Sequence, residues 1–343
     1  MTTAPPPELS IIIVAYNSLN DLKRCLPTLT EAASRLAHEV IIVDNYGQDN
    51  LADWLKTDYP TIRFMANPTN SGYSGGNNLG LAHATGIWTL LLNPDTELIP
   101  DSLERLVETA RQYPNAFITP KLLNPDGTIN TCGNQMQYTG VTTCRGLNEP
   151  ASNYTVVEEV PLLSGAALMA PTKALREVGG FEECYFMYFE DTDLSLRARL
   201  AGYTLLCEPR AVLIHYYRLG MSPTKFYYLE RNRLLTFLRV FSSLTLRRLI
   251  PALILTELLM WGFSLRGLAY VRARCKTYRW LWQNRVIIQQ QHQHIQQQRR
   301  VSDRQLLRNS LIDMPFDQLV GGRLGNSLNA LLRPICQWMR PRL

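Results

Sequence analysis

Three groups of residues have the types and spacing to do chemistry. The first centres on Asp95, which follows the apolar run Trp88–Leu92 and then Asn93-Pro94. A continuous apolar run suits a buried parallel strand, and Pro94 ends its ladder because it has no N–H to donate. An acid just past the carboxyl end of such a strand sits where open α/β sheets bind ligands. One carboxylate there suits a metal held against phosphate oxygens, although Asn-Pro-Asp is equally a common turn. The second group is Glu190, Asp191 and Asp193, crowded into the first turn of an expected helix over 185–202. Acids there complement the helix dipole, which by itself explains them. The chemical alternative is that one of them, kept ionised by the dipole, faces a cleft as a general base. The third is His215, at the end of the run Val212–Ile214. A lone histidine needs a partner to be more than structural, and the topology would supply one if it brought His215 to Asp95.

Alternating strands and helices must position these groups. Leu9–Ala15 (LSIIIVA) is an apolar, β-branched first strand ending at Tyr16-Asn17-Ser18. A helix over about 21–37 follows, capped by Ser18 or Asn20, with Pro27 set to kink it. Glu39–Val43 is the second strand, ending at Asp44-Asn45, and Ile62–Met65 is the third. The glycine-rich stretch from Asn70 to Asn78 (NSGYSGGNN) then opens a helix, and Trp88–Leu92 is the next strand. This alternation implies a parallel sheet, with Tyr16-Asn17, Asp44 and Asp95 on one edge and the glycine-rich turn opening there too. Exposed N–H groups at such a helix start suit a phosphate. No Lys follows the glycines as in a P-loop, and no dinucleotide fingerprint follows the first strand. A tight packing turn explains the glycines equally well. Further on, a helix is expected over 101–113, a strand over 116–119, and a variable, hairpin-rich segment over 121–161. A strand over 162–170 is broken at Ser164-Gly165, where a ligand can approach the backbone.

The 343 residues are 46% hydrophobic and 19% charged, enough for a sizeable core in two parts. Seven cysteines without a Cys-x-x-Cys pair read as ordinary thiols in a reducing compartment. The start, MTTAPPPELS, has neither the basic region nor the apolar core of a signal peptide. The net charge of +6 conceals an asymmetry. Residues 1–235 carry 18 Lys+Arg against 25 Asp+Glu, whereas residues 236–343 carry 17 against 4, a net +13. The two parts therefore have different partners.

In order along the chain, SIIIVAYNS, IIVDN, NSGYSGGNNLG, LLLNPDTEL, SGAALM, GGFEECYFMYFEDTDLSLRARLAGY, LIH and YYLERNR resemble the motifs of family 2 glycosyltransferases of the GT-A fold. The likeness is closest to the rhamnosyltransferase-like branch that builds cell-surface polysaccharides, and it covers about residues 9–235. It implies a mixed, mostly parallel sheet with helices on both faces, followed by a C-terminal α-helical region. It also implies a nucleotide-sugar donor and a divalent metal, manganese or magnesium. By resemblance, Asp44 contacts the donor's base and ribose with Tyr16 and Asn17 beside it. Asn70, Gly72, Gly76, Asn77 and Asn78 lie where relatives contact the donor, Asn77 replacing an Arg of other branches. Asp95 matches the last acid of the metal motif, whose first position is here Asn93, leaving one fewer carboxylate. His215 matches a histidine that completes the metal site, and Arg231 a motif near the diphosphate. Asp191 matches the catalytic base, with Glu190, Asp193, Ser164 and Gly165 around it. The implied reaction is an inverting displacement from dTDP-rhamnose, or next a UDP-hexose, to a hydroxyl of a lipid-linked or growing glycan.

The domain reading is then a disordered segment over 1–8, a catalytic domain over 9–235 and a basic helical region over 236–343. Leu249–Leu265 is apolar but shorter than a bilayer span and carries Glu257. Tyr270, Tyr278, Trp280 and Trp282 interleave with Arg272, Arg274, Lys276, Arg279 and Arg285, the composition of an interface anchor. This suits a cytoplasmic protein peripheral on the inner leaflet; a helical cap on the catalytic domain is the other reading. The segment QQQHQHIQQQ (289–298) reads as a solvated helix. No nucleic-acid partner is expected, and the oligomeric state is not legible. Three rival functions have less support in the sequence. A nucleotidyltransferase would need a Gly-rich loop and a Lys after strand one, which Ala15-Tyr16-Asn17 lacks. A non-catalytic sugar-nucleotide sensor draws slight support from Asn93. A nucleic-acid binder rests on the basic, aromatic tail alone.

Overall fold

The computed structural model describes residues 6–217, 220–315 and 322–340, the side chains of 322–324 excepted. The chain divides into two compact units. The first comprises 1–133, 144–194 and 203–218; the second comprises 134–143, 195–202 and 219–343. The helix Pro223–Val240 thus falls with the C-terminal helices, so the division at 218/219 comes earlier than position 235. Of the N-terminal segment expected to be disordered, residues 1–5 lie outside the described residues. Pro7 and Glu8 are tied down: their carbonyls accept from the Ile87 and Trp88 amides, and the Glu8 amide donates to the Ala37 carbonyl.

In the first unit the apolar runs become the middle of the sheet. β1 (Leu9–Ala15) is flanked in parallel by β2 (His38–Asp44) and β4 (Trp88–Leu92), and β3 (Arg63–Ala66) pairs beyond β2. Ala15 is opposite Asp44, and Ile13 is opposite Leu92, so all three strands end on one edge. Pairing then turns antiparallel. β11 (Ala167–Pro171) runs against β4 with Ala167 opposite Leu92, which brings residues 164–166 to that same edge. β6 (Ala116–Leu123) follows, and β12 (Thr204–His215) lies parallel to it. Both strands run well beyond the four-residue runs expected at 116–119 and 212–215. β12 tolerates this length by a register shift between Glu208 and Val212, where buried Glu208 accepts from Thr109 and Arg210. The short β5 (Thr96–Leu98) pairs antiparallel with the end of β12, His215 opposite Thr96. That pairing is what delivers His215 to the residue after Pro94.

α1 (Leu19–Ala33) continues through Pro27, burying Leu22, Cys25, Leu26 and Leu29. α3 (Gly72–His83) owes its place to its glycines. A Cβ on Gly76 would lie 2.6 Å from Val14, and one on Gly80 would lie 2.4 Å from Ile12. Only glycine lets this helix rest directly on β1.

The expected helix over 185–202 begins later. A 3₁₀ turn (Glu183–Tyr185) comes first, and α6 spans Glu190–Leu200. Between them Phe186, Tyr188 and Phe189 adopt φ of 66°, 64° and 73°. Left-handed backbone at bulky residues costs on the order of 1–3 kcal/mol each and persists only where the surroundings impose it. The aromatic side chains in the motif hide this turn from helical periodicity.

The second unit is helical, with a ribbon of Asn134–Met136 and Thr142–Cys144. The helices Pro223–Val240, Ser243–Ser264, Leu268–Gln283 and Arg285–Gln298 follow in order. Glu257, the acid inside the apolar run, reaches Arg233 at 2.5 Å and also binds Arg274 and Tyr278. Glu230 pairs with the same two arginines, both fully buried. Such a network is costly to break, roughly 3–5 kcal/mol per removed partner. No helix among the described residues is long and apolar enough to cross a membrane. The Gln-rich helix is not merely solvated: Gln296 donates to the Val240 carbonyl, His292 bonds Arg239, and Ile288 and Ile295 are buried.

Candidate active site at the carboxyl edge of the sheet

Asp95 and His215 meet. His215 Nε2 lies 3.4 Å from Asp95 Oδ1, and each of these buried atoms lacks a hydrogen bond. His215 Nδ1 faces Asn130 Oδ1 at 3.4 Å. Nδ1 can donate to that amide oxygen, which leaves Nε2 turned to Asp95, as a donor when it carries a proton and as a metal ligand when it does not. Asn130 is itself fixed by donating to Asn124 Oδ1, and Tyr217 stacks on the imidazole at 5.6 Å. Burial raises the Asp95 carboxyl, but His215 and Arg24 outweigh it and hold it below the ordinary carboxylate range. An ionised oxygen and an imidazole nitrogen, both buried and unsatisfied, fit one side of a divalent-metal site. Among the described residues no third His, Cys, Asp or Glu joins them. Further ligands would be substrate oxygens. The backbone of Asn93, beside them, closes the strand end: its N–H donates to the Ala166 carbonyl, and its C=O accepts from the Thr96 hydroxyl.

Asp191 hangs over the Ser164–Gly165 turn. Its Oδ2 accepts from the Gly165 amide at 3.0 Å, and its Oδ1 accepts from the Thr192 amide at 2.6 Å. Burial raises this carboxyl, and those donors counter the rise. Glu190 has a buried oxygen with no partner. Burial, then the charges of Asp191 and Asp193, push it up to about 8. Of these two coupled carboxyls, Asp191 is the one with donors from two backbone amides, which favour its ionised form. Asp193 is fully buried and accepts from the Tyr185 hydroxyl at 2.9 Å, so it holds the preceding turn. Ser164 is buried and its hydroxyl accepts from the Ala166 amide.

At the β1 and β2 ends, Asn17 adopts φ 53° and accepts from the Gln48 amide, while Asp44 accepts from the Gly47 amide. Tyr16 is half exposed beside them. The residue that organises this edge is Asn45, which the motif reading passed over. Its buried side chain donates to Asn70 Oδ1 and the Gly72 carbonyl, and accepts from Asn67 and the Ser71 amide. The glycine-rich turn is thereby strapped to the end of β2. Gly72 itself has φ +70°, and a Cβ there would strike the Phe186 carbonyl oxygen at 2.2 Å. Asn77 bonds back to the Tyr73 carbonyl within its own helix, and Asn78 bonds Phe181. Arg231 belongs to the second unit, where it stacks on Tyr228 and Trp280.

Residues 10–179 match the family described as Glycosyl transferase family 2. This chain is a family 2 glycosyltransferase. It is 29% identical over 233 residues to the N-acetylglucosaminyl-diphospho-decaprenol L-rhamnosyltransferase of Mycobacterium tuberculosis, covering 61% of this chain and 76% of that protein. It is 27% identical over 207 residues to a low-salt glycan biosynthesis hexosyltransferase of Haloferax volcanii, covering 56% of this chain and 62% of the relative. Among solved structures, S. aureus TarS superposes with a TM-score of 0.55 at 18% identity, over 98% of this chain and 53% of that one. GalNAc-T7 with UDP, GalNAc and Mn2+ gives 0.54 at 17%, over 68% and 48%. The glycosyltransferase thus spans about half the length of these two structures, and at such identities they show its fold alone.

Sequence reasoning anticipated the meeting of Asp95 with His215 and the placing of Asp191 near Gly165. It missed Asn45, Asn130 and Tyr73. Asn45 had a signal, being the residue directly after Asp44 at a strand end; Asn130 had none, because its role depends on β6 and β12 lying side by side.

Proposed function

We propose that this enzyme transfers rhamnose from dTDP-rhamnose, with UDP-hexoses as the next donor class, to a hydroxyl of a lipid-linked glycan with inversion at the anomeric carbon. The observation that carries the donor and acceptor classes is the 233-residue similarity to a rhamnosyltransferase named for a polyprenyl-diphosphate-linked N-acetylglucosamine. Asp191 takes the proton of the acceptor hydroxyl as its oxygen attacks. Its backbone donors favour the ionised form, and Glu190 beside it is pushed up to about 8, so Asp191 is the carboxylate placed to accept that proton. Asp95 and His215 would hold a divalent cation, and the mixed oxygen and nitrogen donors favour manganese over magnesium. When bound, that cation neutralises charge on the leaving diphosphate. Asp44, Tyr16 and Asn17 line the edge for the nucleoside, and the Asn45-strapped turn from Asn70 to Gly72 closes on the donor.

A peripheral position on the cytoplasmic membrane face accords with a lipid-linked acceptor. It is supported by Ile250, Ile254 and Leu258, a stripe at four-residue spacing that is 49–65% exposed beside Arg247 and Arg248.

Donor binding and hydrolysis across dTDP- and UDP-sugars, with manganese, magnesium or chelator, test the assignment. Selective, metal-dependent turnover of dTDP-rhamnose is expected. Asp191→Asn should keep donor binding and lose about 10²–10⁴-fold in turnover, whereas Asp95→Ala should lose metal-dependent donor binding. If no nucleotide sugar binds under any metal, the assignment fails.

A further inference from the structure

Tyr73 lies outside the acidic trio, on the first turn of α3, yet it reaches the backbone that holds Asp191. Its hydroxyl donates to the Gly165 carbonyl at 2.6 Å, and the Gly165 amide in turn donates to Asp191 Oδ2 at 3.0 Å. The clearance is small: a Cβ on Gly165 would stand 3.3 Å from Asp191. The Tyr73 ring meets Phe181 edge-on at 5.4 Å. α3 grips the chain leading to Asp191 at two more places. Asn78 donates to the Phe181 carbonyl at 2.7 Å and accepts from the Phe181 amide at 2.9 Å, and the Ser74 amide donates to Phe186. The helix that opens at the glycine-rich turn and the segment that presents Asp191 are thus tied directly to each other.

We propose that Tyr73 is the positioning residue for the base, fixing Asp191 through Gly165, with Asn78 clamping the turn before it. The inference rests on Asp191 being the base. Its physical content is specific. A hydrogen bond to the carboxylate favours the ionised form, and the Gly165 amide supplies one against the burial that opposes it. Without the Tyr73 hydroxyl the Gly165 carbonyl loses its partner, the 164–165 turn relaxes, and the amide withdraws from Asp191. The carboxylate then holds its proton to higher pH and meets the acceptor in poorer register.

Tyr73→Phe keeps the ring on Phe181 and removes only the donor. We expect kcat to fall about 10-fold, since small misplacement of a reacting group carries penalties of this order or larger, while donor affinity stays within about two-fold. The acid limb of the kcat–pH profile should move to higher pH. Asn78→Leu, which removes both bonds to Phe181 and adds no charge, should move it the same way and carries the test if Tyr73→Phe does not fold. Thr119→Val is the control: it deletes a comparable buried hydroxyl that donates to the Ala167 carbonyl, and should leave the limb in place. A wild-type limb in Tyr73→Phe (or in Asn78→Leu, should Tyr73→Phe not fold), or an equal shift in Thr119→Val, overturns the inference. Asp191→Asn separates the two levels. If it turns over normally, the base assignment has failed; if it is inactive while the limb of Tyr73→Phe is unmoved, only the positioning role has.

Discussion

Glu190→Gln should make the protein more stable, and by an amount that depends on pH. Glu190 is 8% exposed, one of its oxygens has no partner, and its carboxyl rises from 4.5 to about 8 on folding, first through burial and then through Asp191 and Asp193. The unfolded chain releases this proton near pH 4.5, while the folded chain retains it until about pH 8. The unfolded state therefore binds fewer protons throughout that window, and stability falls as pH rises across it. Each pH unit is worth about 1.4 kcal/mol, so by pH 7 the loss is on the order of 3 kcal/mol, levelling off above pH 8. Gln has no proton to release and escapes the loss. Asp191 is raised in the same direction and is coupled to Glu190, so the difference reports the pair's loss of one titrating carboxyl. Urea unfolding followed by circular dichroism from pH 4.5 to 8.5, with chelator present, should show near-equal stabilities at the acid end. The gap should widen steadily toward pH 8. A constant offset across the range, or a variant that loses stability at pH 7, refutes the view that Glu190 is buried as a neutral acid.

Two further outcomes follow from the structure. Asn45→Ala should destabilise the first unit by about 2–3 kcal/mol, because it strands several buried partners at once, and hydrogen exchange should quicken at residues 70–72; unchanged exchange there would mean that the turn holds itself. Ile254→Glu should abolish co-sedimentation with anionic phospholipid vesicles while leaving turnover of a water-soluble acceptor intact. Wild-type binding that is salt-sensitive toward RNA but absent toward vesicles would reject the membrane role.

The apolar runs made the sheet legible because a buried strand declares itself locally: Leu9–Ala15 and Trp88–Leu92 came out with their bounds intact. The start of α6 did not. Tyr185–Phe189 satisfies helical composition, but its left-handed residues are imposed from outside, by α3 pressing on Phe186 through Gly72 and Ser74. No periodicity reports a constraint that lies over a hundred residues away in the chain. Asn130 and Tyr73 were hidden for the same reason. Each acts through a partner, His215 in one case and Gly165 in the other, that only the sheet order brings near.

Glu257 shows the converse, a residue that stands out in the sequence while its partners do not. In the sequence it interrupts an apolar run and counts against a membrane span; in the fold it is a counter-ion for two buried arginines, and removing it would leave Arg233 and Arg274 dependent on Glu230 alone. At 3.6 residues per turn Glu257 falls within about 20° of Ile250 and about 60° of Ile254 around the helix, so the charge borders the apolar stripe. Glu257 turns inward to the network, while Ile250, Ile254 and Leu258 remain exposed. An acid whose charge is met by buried arginines does not by itself bar the neighbouring apolar side chains from a membrane surface. The exposed face is still free to meet a membrane surface, which is why Ile254, and not Glu257, is the position at which to test it.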